Sequence, residues 1–226
     1  MVEHSSDGTI VLVSKSPRRR DLISKLGISI SYCASQIKED LPREDETAEC
    51  YVLRMSKCKV DEVSCLFSTS IGLIGSDTVV VNEGSILRKP TDPRNAIDML
   101  ENLRGKSHRI VTGVNVRVGS SGYHFSRVTS TSVAMRNYST DEINEYVSTG
   151  DPMDKAGAYG IQNTRFRLVQ DIEGCYTGAM GLPLCSLVQM LKLTTSILFD
   201  ESNLENIERY SCLYSDCRIT NYEEPA

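Results

Sequence analysis

Apolar positions along the chain fall into short continuous runs, alternating stretches and helical stripes, and these follow one another in a regular order. Ile10-Val11-Leu12-Val13 reads as a buried strand extending to Ser14. Ser16 then stands where a helix N-cap is expected, with Pro17 at the first helical position, so a helix to about Leu26 is predicted, closed by Gly27. Residues 28–34 alternate as a second strand, while Ala48, Tyr51, Val52 and Met55 recur at helical spacing within a segment from Thr47 to Val63.

Two apolar runs follow, Ile71 to Ile74 and Val79 to Val81, separated by Gly75-Ser76-Asp77-Thr78, which reads as an interruption between two strand segments. Asp92-Pro93 opens a further helix whose apolar stripe is Ala96, Ile97, Leu100 and Leu103, ending at Gly105. His108 to Val118 and Tyr123 to Met135 alternate on either side of a Gly119–Gly122 turn, which predicts a hairpin. Ser139 and Glu142 have the spacing of a capping box for a helix stopping near Gly150. A glycine-rich loop from Asp154 to Gly160, a strand around Phe166 to Val169 and a helix from about Pro183 to Leu193 complete the pattern. Strands alternating with helices, together with one long hairpin, predict an α/β chain with a mixed sheet. Beyond Thr195 the composition becomes polar, so a single domain over 1–195 with a polar extension over 196–226 is expected.

Composition narrows the classes without changing this picture. Of 226 residues, 40% are hydrophobic and 24% charged, as in a soluble globular protein. No apolar run reaches the roughly 18 residues of a membrane helix, and the start of the chain has no signal-peptide pattern, so an intracellular protein is expected. With 25 basic and 30 acidic residues the net charge is −5, which argues against broad nucleic-acid binding. The 8 cysteines show neither C-x-x-C pairing nor zinc spacing and are read as reduced thiols.

Several polar residues break local rules. Arg18, Arg19 and Arg20 crowd the first turn of a helix, where the dipole is already positive. They form either a phosphate clamp, built with the free backbone N–H groups, or a solvated basic patch. Asp77, between two apolar segments, is either a turn aspartate or a buried carboxylate doing chemistry. Glu39-Asp40 could join it in holding Mg²⁺ or Mn²⁺, or be a solvated acidic loop. Lys59 and Lys89 could balance phosphate charge, and the Gln162 amide, both donor and acceptor, suits a nucleobase edge; the alternatives are solvent-facing lysines and a surface amide. P-loop and dinucleotide-binding glycine motifs are absent from the sequence.

Taken together, Ser14-Lys15-Ser16-Pro17-Arg18-Arg19, Gly75-Ser76-Asp77-Thr78 and Asp154-Lys155-Ala156-Gly157-Ala158-Tyr159-Gly160-Ile161-Gln162 resemble the motifs of the Maf nucleoside triphosphate pyrophosphatases. Lys89-Pro90, residues 108–113 and Gly181-Leu182-Pro183-Leu184 follow in the family's order. The resemblance implies a mixed twisted sheet with flanking helices, in two lobes around a cleft, as in inosine triphosphate pyrophosphatases. It also implies a cytoplasmic and often dimeric enzyme that converts dTTP and UTP to monophosphate and pyrophosphate with a divalent cation. By position, Asp77 would be the proton acceptor, and Ser14, Arg18, Lys59 and Lys89 would face the phosphates. Glu39 would join Asp77 at the metal, and Arg19, Thr78 and Gln162 would mark pyrimidine preference. Asn163-Thr164 and residues 175–179 depart from the family's pattern, which leaves open modified pyrimidine nucleotides as substrates, or the same chemistry on CTP or a methylated GTP. A nucleotide-binding regulator of cell division without turnover is the rival from another class.

Overall fold

The computed structural model describes residues 10–38, 40–67, 70–119 and 121–194. Its centre is a seven-stranded mixed sheet. Strand β1 (Ile10–Val13) pairs in parallel with β2 (Ile30–Cys33) on one side and with β3 (Gly72–Asn82) on the other. From β3 outward the sheet is antiparallel, through β5 (Ser107–Val118), β6 (His124–Met135) and β7 (Val169–Glu173), and a short β4 (Ser85–Leu87) also pairs with β3.

Helix α1 (Pro17–Ser24) follows β1, with Ser16 as N-cap and Pro17 in the first turn. Together with α6 (Leu184–Thr194) it closes a core of Ile10, Leu12, Leu22, Ile74, Val114 and Leu187 on one face of the sheet. On the other face, α2 (Ala48–Val63) lays Val52, Met55 and Val60 against Leu73, Val79 and Val111. Its N-cap is Thr47, whose side chain accepts from the Cys50 N–H. A separate core gathers α3 (Pro93–Leu103) and α4 (Thr140–Ser148) with Val80, Ile110 and Val133, at the far end of β3. Asp92 caps α3 through the Asn95 N–H, and Ser139 and Glu142 form the reciprocal capping box on α4. A short α5 (Tyr176–Ala179) packs over β5 and β6.

Two expectations need correction. Gly75 to Thr78 does not interrupt a strand, because β3 runs unbroken through it for 11 residues. The predicted strand at Phe166 lies three residues further on, at Val169. Phe166 and Leu168 are buried in the α3/α4 core instead, and Arg167 between them has φ +47°, which no strand accommodates. Among the described residues no helix is long and apolar enough to cross a membrane, and the predicted polar extension lies outside them.

The register of β3 prepares a site. Along one edge, β1 stops where Val13 meets Gly75, and β4 begins only where Leu87 meets Val80. The opposite edge is paired with β5 throughout, from Gly72 to Val81. Residues 76–79 therefore form a notch in the sheet, open on one edge and flanked by the two cores. The chain leaving β1 turns into the N-terminus of α1 beside this notch, at the carboxyl end of a parallel strand, where open α/β sheets commonly bind ligands.

Candidate active site

A cavity of about 430 Å³ fills the notch and is lined by Ser14, Arg18, Arg19, Lys59, Asp77, Thr78, Lys89 and Gln162, every described residue to which the resemblance gives a role, whereas Asp40 and Arg20 do not line it. Glu39 lies outside the described residues. Because neighbouring strand residues point to opposite faces, Asp77 faces α2 and Thr78 faces α1; both reach the cavity because β1 has ended.

Asp77 and Lys59 are buried together, with Lys59 Nζ 2.5 Å from Asp77 Oδ1. Burial of either charge alone would be costly, and the pairing offsets that cost. Gly75 makes the contact geometrically available: a Cβ there would lie 2.3 Å from the Ser56 carbonyl oxygen of α2, so only glycine lets the helix lie this close to β3. Lys59 sits one turn further along the same helix.

The three arginines of α1 diverge. Arg18 crosses the notch to Asp154, with Nη1 3.0 Å from Oδ2 and Nη2 3.2 Å from the backbone oxygen. Arg19 donates to the Gly181 carbonyl at 2.7 Å and to Thr78 Oγ1 at 3.0 Å, and Thr112 donates to the same Thr78 oxygen. Arg20 turns away, donating to the Ser14 carbonyl and stacking over Tyr32, so a three-arginine clamp is not formed. Ser14, itself buried, accepts the Ser16 N–H on its hydroxyl, which fixes the bend between β1 and α1. Lys89 is exposed at the rim, and neither it nor the Gln162 amide has a hydrogen-bond partner among the described residues.

Sequence reasoning gave no role to Lys15, Arg88, Asp154 or Lys155, which also line the cavity. Their signal was adjacency: each lies within or beside one of the quoted motifs. Arg88 reaches the Asp40 carbonyl at 3.2 Å, the same oxygen that accepts from the Tyr51 hydroxyl. Lys155 is buried, and its ammonium contacts Asp151 Oδ1 at 2.8 Å and Asp154 Oδ1 at 2.7 Å. Burial pushes both carboxyls up, but Lys155, helped at Asp154 by Arg18 and at Asp151 by Tyr146, more than offsets it and holds both below the usual carboxylate range. Gly157, at φ +69°, brings this loop against β3, where a Cβ would come 2.8 Å from Val80. His108 is a core residue: Nε2 lies 2.5 Å from the buried Tyr159 hydroxyl, and burial lowers its pKa to about 4.

The site is thus a cationic cavity in an acidic protein, holding one buried carboxylate and an amide opposite a helix N-terminus. Such an arrangement suits a polyphosphate attached to a hydrogen-bonding ring. Among the described residues no cluster of three or more His, Cys, Asp or Glu could hold a metal. Asp77 alone still fits a hard cation of the Mg²⁺ type, which commonly takes one or two protein carboxylates and completes its shell with substrate phosphates and water.

Comparison with known proteins agrees with this chemistry. Residues 9–194 match the family model described as Maf-like protein. A dTTP/UTP pyrophosphatase of Syntrophus aciditrophicus (strain SB) is 37% identical over 190 residues, covering 84% of this chain and 92% of its own. The dTTP/UTP pyrophosphatase of Methanococcoides burtonii is 40% identical over 193 residues, covering 85% and 98%. Among solved structures, a HAM1 protein from Coxiella burnetii shows a distant likeness, with TM-score 0.39, 10% identity, and coverage of 57% of this chain and 74% of that one.

Proposed function

The chain belongs to the Maf family, and from that premise we propose that it hydrolyses dTTP and UTP to the nucleoside monophosphate and pyrophosphate. The observation that supports this reading is the notch in β3, whose cavity is lined by the buried Asp77–Lys59 pair, by a cationic helix N-terminus and by Gln162.

In this reading the triphosphate lies against Ser14, Arg18 and Lys89, with Lys59 at its inner end. Asp77 accepts a proton from the water that attacks the α-phosphorus, and the bond to the β-phosphate oxygen breaks. Arg18, Lys59 and Lys89 stabilise the charge that accumulates on the pyrophosphate leaving group. Gln162 addresses the pyrimidine, its amide oxygen accepting a ring N–H and its amide nitrogen donating to a ring carbonyl, a pairing that uracil and thymine share. Arg19 and Thr78, fixed to each other and to Gly181, shape the wall beside it. Asp77, together with Glu39 as the resemblance implies, would hold a divalent cation, Mg²⁺ or Mn²⁺. When bound, that cation supplies Lewis-acid polarisation of the phosphate oxygens.

The test is pyrophosphate release from a panel of canonical and modified nucleoside triphosphates, with Mg²⁺ and with Mn²⁺, using Asp77→Asn as control. Selective cleavage of dTTP and UTP, reduced about 10²–10⁴-fold in the variant, is expected. Absence of release from every nucleotide would sink the reading.

A further inference from the structure

Arg18 and Gln162 are joined through the protein by a continuous chain of polar contacts, although the roles given to them concern opposite ends of a nucleotide. The chain begins with the two Arg18 contacts to Asp154. The other Asp154 oxygen accepts from Lys155, whose buried ammonium also contacts the Asp151 side chain. The second Asp151 oxygen accepts from the Tyr146 hydroxyl at 2.7 Å and from Asn163 Nδ2 at 3.2 Å. The Tyr146 hydroxyl in turn accepts the Gly160 N–H at 3.2 Å. Gly160 and Asn163 bracket Gln162, so the backbone on both sides of the base-facing amide is tied to this chain. Asn163 is tied further by its side-chain oxygen, which accepts the N–H groups of Arg165 and Phe166.

Two properties distinguish this from an ordinary loop network. First, the charges alternate, Arg18, Asp154, Lys155, Asp151, so no member is satisfied independently of its neighbours, and such networks respond as units. Second, among the described residues the Arg18–Asp154 contact is its one crossing of the notch: Arg18 belongs to the α1 side, and every other member to the α4 side or the loop after it. A phosphate that draws on the remaining N–H groups of Arg18 therefore pulls on the anchor of the loop that carries Gln162.

The geometry points to Asp154 as a positioning residue that couples the phosphate grip at Arg18 to base discrimination at Gln162. This rests on the pyrophosphatase reading and adds to it that the base is read well only when the phosphate end is correctly held. Asp154 touches neither water nor phosphorus in this assignment and acts through Arg18 and the loop.

The experiment measures kcat/KM for dTTP and for dCTP in the wild type, Asp154→Asn, Gln162→Ala and the double variant, with thermal melting as a check on folding. Asp154→Asn keeps the shape and the backbone contact but removes the charge. It is expected to lower the dTTP to dCTP ratio by about tenfold, the size of coupling found between groups in one polar network, mainly through a raised KM for dTTP. The double variant is expected to discriminate no worse than Gln162→Ala alone. A uniform fall for both nucleotides, an unchanged ratio, or ratio losses that multiply in the double variant would overturn the proposal. Should Asp154→Asn not fold, Arg18→Lys serves instead, since an ammonium retains the charge but cannot span both Asp154 oxygens, and the same loss of ratio is expected. A wild type that cleaves no nucleotide would be a failure of the underlying reading, recognisable before any variant is compared.

Discussion

Lys59 and Asp77 meet across the interface between α2 and β3, with 2.5 Å between ammonium and carboxylate and both side chains more than nine-tenths buried. The pair is a structural element as well as a chemical one. Lys59→Met removes the ammonium that offsets the burial of Asp77, and a loss of about 3–5 kcal/mol is expected from breaking such a pair. Adding Asp77→Asn to the same chain removes the stranded charge, so the double variant should be more stable than Lys59→Met alone. Urea unfolding of the three proteins at neutral pH checks this, and a double variant less stable than the single would contradict it.

Gly75 admits α2 to the position from which Lys59 reaches Asp77. A Gly→Ala change at a compatible site usually stabilises slightly; here the added methyl meets the Ser56 carbonyl at 2.3 Å. Gly75→Ala should therefore destabilise by about 1–3 kcal/mol, as overpacking does, and should also lower turnover because the helix carrying Lys59 must move. A denaturation midpoint at or above wild type would show that α2 is not held at this distance.

The legible parts of the fold were those encoded locally: Ser16-Pro17, Asp92-Pro93 and the Ser139/Glu142 box each carry their own start signal. Gly75-Ser76-Asp77-Thr78 reads locally as a break because glycine and aspartate disfavour strands. What keeps this segment in β3 is long-range: Ser76 donates to the carbonyls of Gly113 and Gly181, and Asp77 takes Lys59 from α2. The same limit governs the site. Arg18, Lys59, Asp77 and Gln162 were nameable because each violates an expectation within its own segment or stands in a motif. The Arg18–Asp154 contact spans 136 positions, and nothing local to either residue announces it.

Stability should fall as the medium is acidified from neutrality, before the carboxylates take part. His108 titrates at about 4 in the folded protein because burial disfavours its charged form, against an ordinary value of 6.5. Below 6.5 the unfolded chain binds a proton that the folded one refuses, so folding free energy is lost as pH drops, by about 2 kcal/mol at pH 5 relative to neutrality. The depressed carboxyls of Asp151 and Asp154 act in the same direction but at lower pH, since their contribution is lost only as pH falls towards their folded values. Urea unfolding at pH 7.5, 6 and 5 should show this slope, and His108→Gln should flatten it. An equal slope in the variant would place its origin elsewhere.

Removal of divalent cations tests the role given to Asp77 as a ligand separately from its role as a base. Protein stripped with a chelator should release no pyrophosphate from dTTP, and added Mg²⁺ or Mn²⁺ should restore the rate. Isothermal titration of Mn²⁺ into wild type and Asp77→Asn, each loaded with a dTTP analogue whose α,β-bridging oxygen is replaced by a methylene group, should show weaker binding in the variant, because an amide is the poorer hard-oxygen donor. Unchanged affinity would take Asp77 out of the metal site while leaving its role in proton transfer to the turnover measurements.

Thr78 separates wall-building from chemistry. Its hydroxyl oxygen accepts from both Arg19 Nη2 and Thr112 Oγ1, each at 3.0 Å, and Arg19 goes on to the Gly181 carbonyl beside the cavity. Thr78→Val preserves the shape of the side chain and takes away the acceptor of Arg19 Nη2, at a cost of about 1–3 kcal/mol for a buried group, while the Thr112 hydroxyl keeps its bond to the Gly178 carbonyl at 2.8 Å. Arg19 would keep its contact to the Gly181 carbonyl but lose the one to Thr78, and the wall it forms with Met180 and Gly181 would be held less firmly. Because Asp77 lies on the opposite face of β3 with its own partner, cleavage itself should survive while selectivity declines. The expected result is a modest fall in kcat for dTTP together with a dTTP to dCTP ratio reduced several-fold, read from parallel pyrophosphate-release assays. A large loss of kcat with the ratio intact would instead mean that Thr78 serves the reacting phosphate, and Arg19 with it.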